Sequence, residues 1–235
     1  EGPLLGPIQF ALRRVWELVV WARLNRRFRL PRTLHEQPKA RGQQTAAFLV
    51  RDNIRHRRDI EEAYLAAIAT ARENILLANA YFLPGRRFRR ALYRAARRGV
   101  RVVILLQGRV EYRLLHYATQ ALYGRMLRAG IHIFEYRRGF LHAKVAVVDD
   151  HWATVGSSNI DPFSLLLARE ANIVVQDRSF AEELRRSLKQ AMRDDARELR
   201  ADRWIRLPWH SRLLRWASYN LVRMFVGFVG YGGRH

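Results

Sequence analysis

Three side chains in the second half of the sequence stand at a spacing that can do phosphate chemistry. His142, Lys144 and Asp149 read H-x-K-x4-D, and Gly156-Ser157-Ser158-Asn159 follows after six more residues. In an extended chain, residues two apart share a face, so the His142 imidazole and the Lys144 ammonium are expected side by side. The Ser157 hydroxyl and the Asn159 carboxamide arrive on the next strand. A positive charge and neutral donors around one point suit a phosphate, and a ring nitrogen beside them can act as nucleophile or acid. The chain has 43 basic residues, of which only Lys39, Lys144 and Lys189 are lysines. A lysine inside this pattern therefore suggests a need for a compact point charge. Taken singly, each residue has a plainer reading: a core histidine, an edge lysine, two turn formers. The joint spacing favours the site. The other histidines (His35, His56, His116, His132, His151, His210 and His235) lack a lysine two residues on and receive no role.

The elements that must hold these residues are legible as an α/β pattern. Strands are expected at 46–51, 74–82, 100–106 and 131–136, and helices at 54–72, 86–98 and 112–129. Such alternation predicts a layered domain with a mixed, mainly parallel sheet flanked by helices. LHAKVAVVDD (141–150) and WATVG (152–156) read as a hairpin, and EANIVVQD (170–177) as a further strand. A charged amphipathic helix is expected over 179–200. Four regions result: an amphipathic helix in 1–30, a polar linker in 31–45, the α/β domain in 46–200, and a basic, aromatic amphipathic segment in 201–235. The chain begins on Glu1 rather than Met, so a partial or processed chain is expected.

Composition narrows the partners. The 235 residues carry a net charge of +22 with 49% hydrophobic residues and no cysteine. That apolar content excludes a disordered polycation. The absence of cysteine excludes disulfides, thiolate metal sites and a cysteine nucleophile. No run of 18 apolar residues reads as a membrane span. The charge calls for an anionic partner: nucleic acid, a membrane surface or a phosphorylated substrate.

The pattern H-x-K-x4-D-x6-G-S-x-N resembles the signature of the phospholipase D superfamily. The wider stretch FLHAKVAVVDDHWATVGSSNIDPFSLLLAREAN resembles the second catalytic half of a bacterial cardiolipin synthase, over about residues 46–195. The resemblance implies a phospholipase D-like layered sandwich and a phosphatidyltransferase acting through a phosphohistidine at His142, or with His142 as the general acid. It implies phosphate binding by Lys144, Ser157 and Asn159, and a mainly structural Asp149 within the motif. Glu170 would accept a hydrogen bond from the imidazole, and no metal or cofactor is implied. The family uses two such motifs and this chain has one. The expected partners are therefore a first motif-bearing half or a second copy of the chain, together with an anionic phospholipid and a membrane surface. A peripheral place on the cytoplasmic face of a bacterial membrane is expected. The alternative is a phosphodiesterase or nuclease of the same superfamily working as a homodimer. The aromatic-basic ends and the NIDPFSL context favour lipid over nucleic acid.

Overall fold

The computed structural model describes residues 2–22, 39, 42–52, 55–166 and 168–228. The expected continuation of the first helix through 23–30, residues 31–38, 40 and 41 of the 31–45 linker, and the glycine-rich end lie outside the described residues. In chain order the elements are α1 (Leu5–Ala22), β1 (Thr45–Arg51), α2 (Asp59–Thr70), β2 (Asn74–Asn79), α3 (Arg86–Arg97), β3 (Arg101–Gln107), α4 (Arg113–Arg128) and β4 (His132–Tyr136). There follow β5 (Lys144–Val148), β6 (Trp152–Gly156), α5 (Pro162–Leu166), β7 (Glu170–Gln176), α6 (Arg178–Asp195), β8 (Ala196–Glu198), α7 (Ala201–Ile205) and α8 (Trp209–Phe228).

The eight strands form one sheet in the order β1-β7-β6-β5-β2-β3-β4-β8. Its direction corrects the sequence expectation. Only β2–β3 and β3–β4 pair in parallel, and the other pairings are antiparallel. Parallel pairing needs a crossover helix between the strands, and only the β2-α3-β3-α4-β4 run supplies one for neighbouring strands. β1 also precedes a helix, yet it pairs with β7 rather than β2, with Arg51 opposite Glu170.

The apolar residues of the central strands divide by parity between two cores. Ile75, Leu77, Val102, Ile104 and Ile133 face α2, α3 and α4, whose Tyr64, Phe88, Leu92 and Met126 complete that layer. Leu76, Val103, Leu105, Val145 and Val147 face the opposite way, toward Ala181 and Leu188 of α6. This is the near-continuous apolar strand of a sheet covered on both faces. The α6 helix starts at Asp177, whose carboxylate accepts from Phe180 N–H at 2.7 Å, a normal N-cap. It stops at Asp195, short of the expected residue 200, because Ala196–Glu198 leaves the helix to pair antiparallel with β4. The α8 helix lies on α4, where Arg215 Nε donates to Gln120 Oε1 at 2.9 Å.

Candidate active site

Strand direction decides which residues meet. β5 starts at the end of the sheet where its antiparallel neighbours β2 and β6 finish, and where β7 starts. Lys144, Asn79, Gly156 and Glu170 are therefore brought to one sheet edge, and Arg51, ending β1, joins them. β3 ends there too, and its Gln107 side chain accepts from Leu141 N–H at 2.9 Å, fixing the segment that leads into His142. The expected strand 141–150 is shorter in the structure. It begins at Lys144, and His142 sits exposed just before it. Lys144 is buried, and its Nζ donates to the His142 carbonyl at 3.4 Å.

The Gly-Ser-x-Asn turn is held by close backbone approach. A Cβ on Gly156 would stand 2.3 Å from Asn172 Cγ and 2.5 Å from the Ala171 carbonyl oxygen, so only glycine fits. Ser157 N–H donates to the Ala171 carbonyl at 2.9 Å, and the Ser157 hydroxyl accepts from Ala171 N–H at 3.1 Å. The same hydroxyl donates to the Glu170 carboxylate. Asn159 is buried, and its Oδ1 accepts from Tyr81 N–H at 3.3 Å. The expected partner of Glu170 thus differs. Among the described residues its carboxylate is engaged by Ser157, its neighbour across β6 and β7, and no hydrogen bond joins it to His142.

Asp149 is placed apart. It follows the far end of β5, and a five-residue strand at about 3.3 Å per residue puts it roughly 17 Å from Lys144. Its carboxylate accepts from Arg72, Glu73 and Asn74 N–H at 2.9, 2.9 and 3.0 Å, while its own N–H donates to the Asn74 carbonyl. Burial alone would raise its carboxyl. The three amides outweigh burial and hold it below the usual aspartate value. Its φ of +48° is the left-handed turn that aims the side chain at those amides. Asp149 therefore ties the hairpin to the α2–β2 connection, at the opposite end of β5 from Lys144.

Electrostatics at the edge are mixed. Burial lowers the Lys144 ammonium from its ordinary value, and Glu170, Asp161 and Glu111 act against that. Asp161, nine-tenths or more buried, caps α5 by accepting from Phe163 and Ser164 N–H at 2.8 and 3.0 Å, and desolvation pushes its carboxyl up. Sequence reading missed Asp161, although Asp before Pro at a helix start is an N-cap signal. It also missed Asn79, whose Oδ1 accepts from Ile160 N–H at 3.1 Å, and Asn172, which bridges Thr154 and the Ser158 amide. Nothing in an isolated strand sequence marks such buried amides as braces of a neighbouring loop. Among the described residues, no cluster of three His, Asp or Glu could hold a metal ion.

The arrangement gathers an ammonium, a hydroxyl and a carboxamide at one edge of an α/β sheet covered on both faces. A family model described as "Cardiolipin synthase, PLD-like domain" matches residues 64–192, and the chain belongs to that family. Cardiolipin synthase B of Escherichia coli strain K12 is 39% identical over the whole chain, which covers 56% of that relative. Cardiolipin synthase 2 of Bacillus anthracis is 33% identical over 69% of the chain, which covers 31% of that relative. The chain thus spans about half or less of the curated relatives it matches. The crystal structure of phosphatidylserine synthase from Haemophilus influenzae Rd KW20 superposes with a TM-score of 0.63 at 14% identity, covering 84% of this chain and 49% of that one. At that identity the likeness shows the fold.

Proposed function

We propose that the chain is one catalytic half of a phosphatidyltransferase of the cardiolipin synthase type. The observation that carries this is the convergence of His142, Lys144, Ser157 and Asn159 at one sheet edge, in a chain whose family is described by that activity. In the reaction, an imidazole nitrogen attacks the phosphorus of a phospholipid and the bond to the headgroup oxygen breaks. The second histidine protonates the departing alkoxide. The hydroxyl of a second lipid, deprotonated by that same histidine, then attacks the phosphohistidine and releases the first imidazole. His142 supplies one of these two histidines, and a second H-x-K-x4-D half or a second copy supplies the other.

Lys144 and Asn159 would hold the nonbridging oxygens of the phosphate. Ser157 joins them by turning its hydroxyl from Glu170 to the ligand. That rotation frees the Glu170 carboxylate for the imidazole, where it fixes the tautomer and stabilises the charged ring. Substrate arrival and activation of His142 would thus be one event.

The substrates live in a bilayer, and the ends of the chain suit its surface. Phe10, Leu12, Val19 and Trp21 of α1 and Trp209, Leu213, Trp216 and Phe225 of α8 are exposed among arginines. No helix among the described residues is long and apolar enough to cross a membrane. The exposed aromatic and basic ends support peripheral attachment, with each arginine near anionic lipid contributing about 1 kcal/mol. The test supplies vesicles of phosphatidylglycerol to a polypeptide carrying this chain and a second motif. Cardiolipin and free glycerol are the expected products. Cleavage of DNA with no lipid product would replace this reading with the nuclease one.

A further inference from the structure

A second anion-binding feature lies away from the reacting edge. Between α3, α4, α7 and α8 is an open cavity of about 670 Å³. Seven arginines line it, including Arg89, Arg125, Arg128, Arg212 and Arg215, and no carboxylate does. None of His142, Lys144, Ser157, Asn159 and Glu170 contributes to it. Among the described residues, none of the seven arginines is ion-paired. Arg215 is half-buried and held in place by Gln120 Oε1 at 2.9 Å and the Ser211 carbonyl at 2.7 Å. Its guanidinium also lies over the Trp204 ring, 5.2 Å from the centroid. Arg89 is fixed likewise by the Tyr219 hydroxyl at 2.8 Å and the Pro84 carbonyl at 3.1 Å. Seven like charges around one space repel one another, and two of them are preorganised by neutral acceptors that leave their charge uncompensated. An anion inside the cavity is the natural counter-charge.

The surroundings say what kind of anion. An adjoining cavity of about 250 Å³ shares Arg86, Arg89, Arg90 and Tyr219 with the first; Glu61 and Asp161 also line it, and Leu83, Leu165, Val222 and Val226 give it an apolar wall. The outer face of α8 beside it exposes Trp209, Leu213, Trp216 and Met224. A ligand with a phosphate at one end and hydrocarbon at the other satisfies both surfaces. A free phosphate or a nucleic acid backbone satisfies only the first. We propose that this cavity binds the phosphodiester headgroup of an anionic phospholipid, separately from the reacting centre. The bound lipid pins α8 to the bilayer and, through the α4–α8 contact, sets the protein's orientation on it. The proposal does not depend on the transferase reading.

Calorimetric titration with a short-chain, water-soluble phosphatidylglycerol tests it. Saturable binding is expected. The variant Arg125→Ala/Arg128→Ala/Arg212→Ala, which alters exposed side chains only, is expected to bind about tenfold more weakly. Arg97→Ala/Arg101→Ala/Arg193→Ala removes the same charge from other exposed surfaces and is expected to bind as the parent does. Every protein of the series also carries Asn159→Ala, which weakens phosphate holding at the reacting edge, so that the titration reports this cavity. Three results would overturn the proposal: no binding, equal weakening in both triple variants, or binding of inorganic phosphate or short-chain phosphatidylcholine as tightly as of the anionic lipid.

Discussion

The Ser157 hydroxyl donates to the Glu170 carboxylate across the adjoining ends of β6 and β7. Two residues with separate expected duties, phosphate binding and imidazole support, are thus linked to each other. Their effects on catalysis should not add. Ser157→Ala and Glu170→Ala are each expected to lower kcat/KM, with Glu170→Ala the larger at about a hundredfold. The double variant should fall short of the product of the two by about 1 kcal/mol of coupling, the size found for residues in contact. Steady-state kinetics on the four proteins of the cycle measure this, and strict additivity would mean that the link has no part in the reaction.

Gly156 is required by space, since its φ is not in the left-handed region. Gly156→Ala is expected to destabilise by about 1–3 kcal/mol, the usual cost of forcing an added carbon into packed surroundings. Removing the Asn172 side chain in the same protein should restore only part of this, because the Ala171 carbonyl would still stand 2.5 Å from the new carbon. Urea denaturation of the single and double variants gives both numbers.

Asp149 makes the fold sensitive to acid. Its carboxyl titrates lower in the folded protein than in the unfolded chain, so the folded state binds the proton less readily. The stabilisation is complete above the unfolded value near 3.8 and is lost as pH falls through the lower folded value. Asp149→Ala is expected to cost about 3 kcal/mol at neutral pH through three lost amide bonds. The difference from the parent protein should shrink as pH drops below that of an ordinary aspartate. Denaturation midpoints followed from pH 7 downward show whether the two curves converge.

The placement of part of the candidate site was legible because its information is local. The G-S-x-N spacing reports a turn after β6, and Glu170 stands out as a charge opening an apolar strand. The H-x-K spacing reads as strand parity, but β5 begins only at Lys144 and leaves His142 before it. The direction of the sheet was not legible, because the pairing of β1 with β7 joins segments more than a hundred residues apart. β8 was missed for a related reason: Ala196–Glu198 is short, charged and helix-compatible, and only β4 beside it makes it a strand. Asp149 reads as part of one motif with Lys144, yet the length of β5 carries it to the other end of the sheet. The buried Asn79 and Asn172 brace loops that come from elsewhere in the chain, so their own neighbours in sequence give no hint of the task.

The central claim is that His142 takes part directly in phosphatidyl transfer. It is tested most directly by the initial rate of cardiolipin formation from phosphatidylglycerol vesicles, with and without His142→Ala, in a polypeptide that carries both motifs. His142 is exposed and lies outside the regular strands, so its replacement should leave the fold intact, and a circular dichroism spectrum checks that. A fall of at least about a thousandfold is expected for loss of a reacting histidine. Cardiolipin formed by the folded His142→Ala protein at the parent rate would contradict the account.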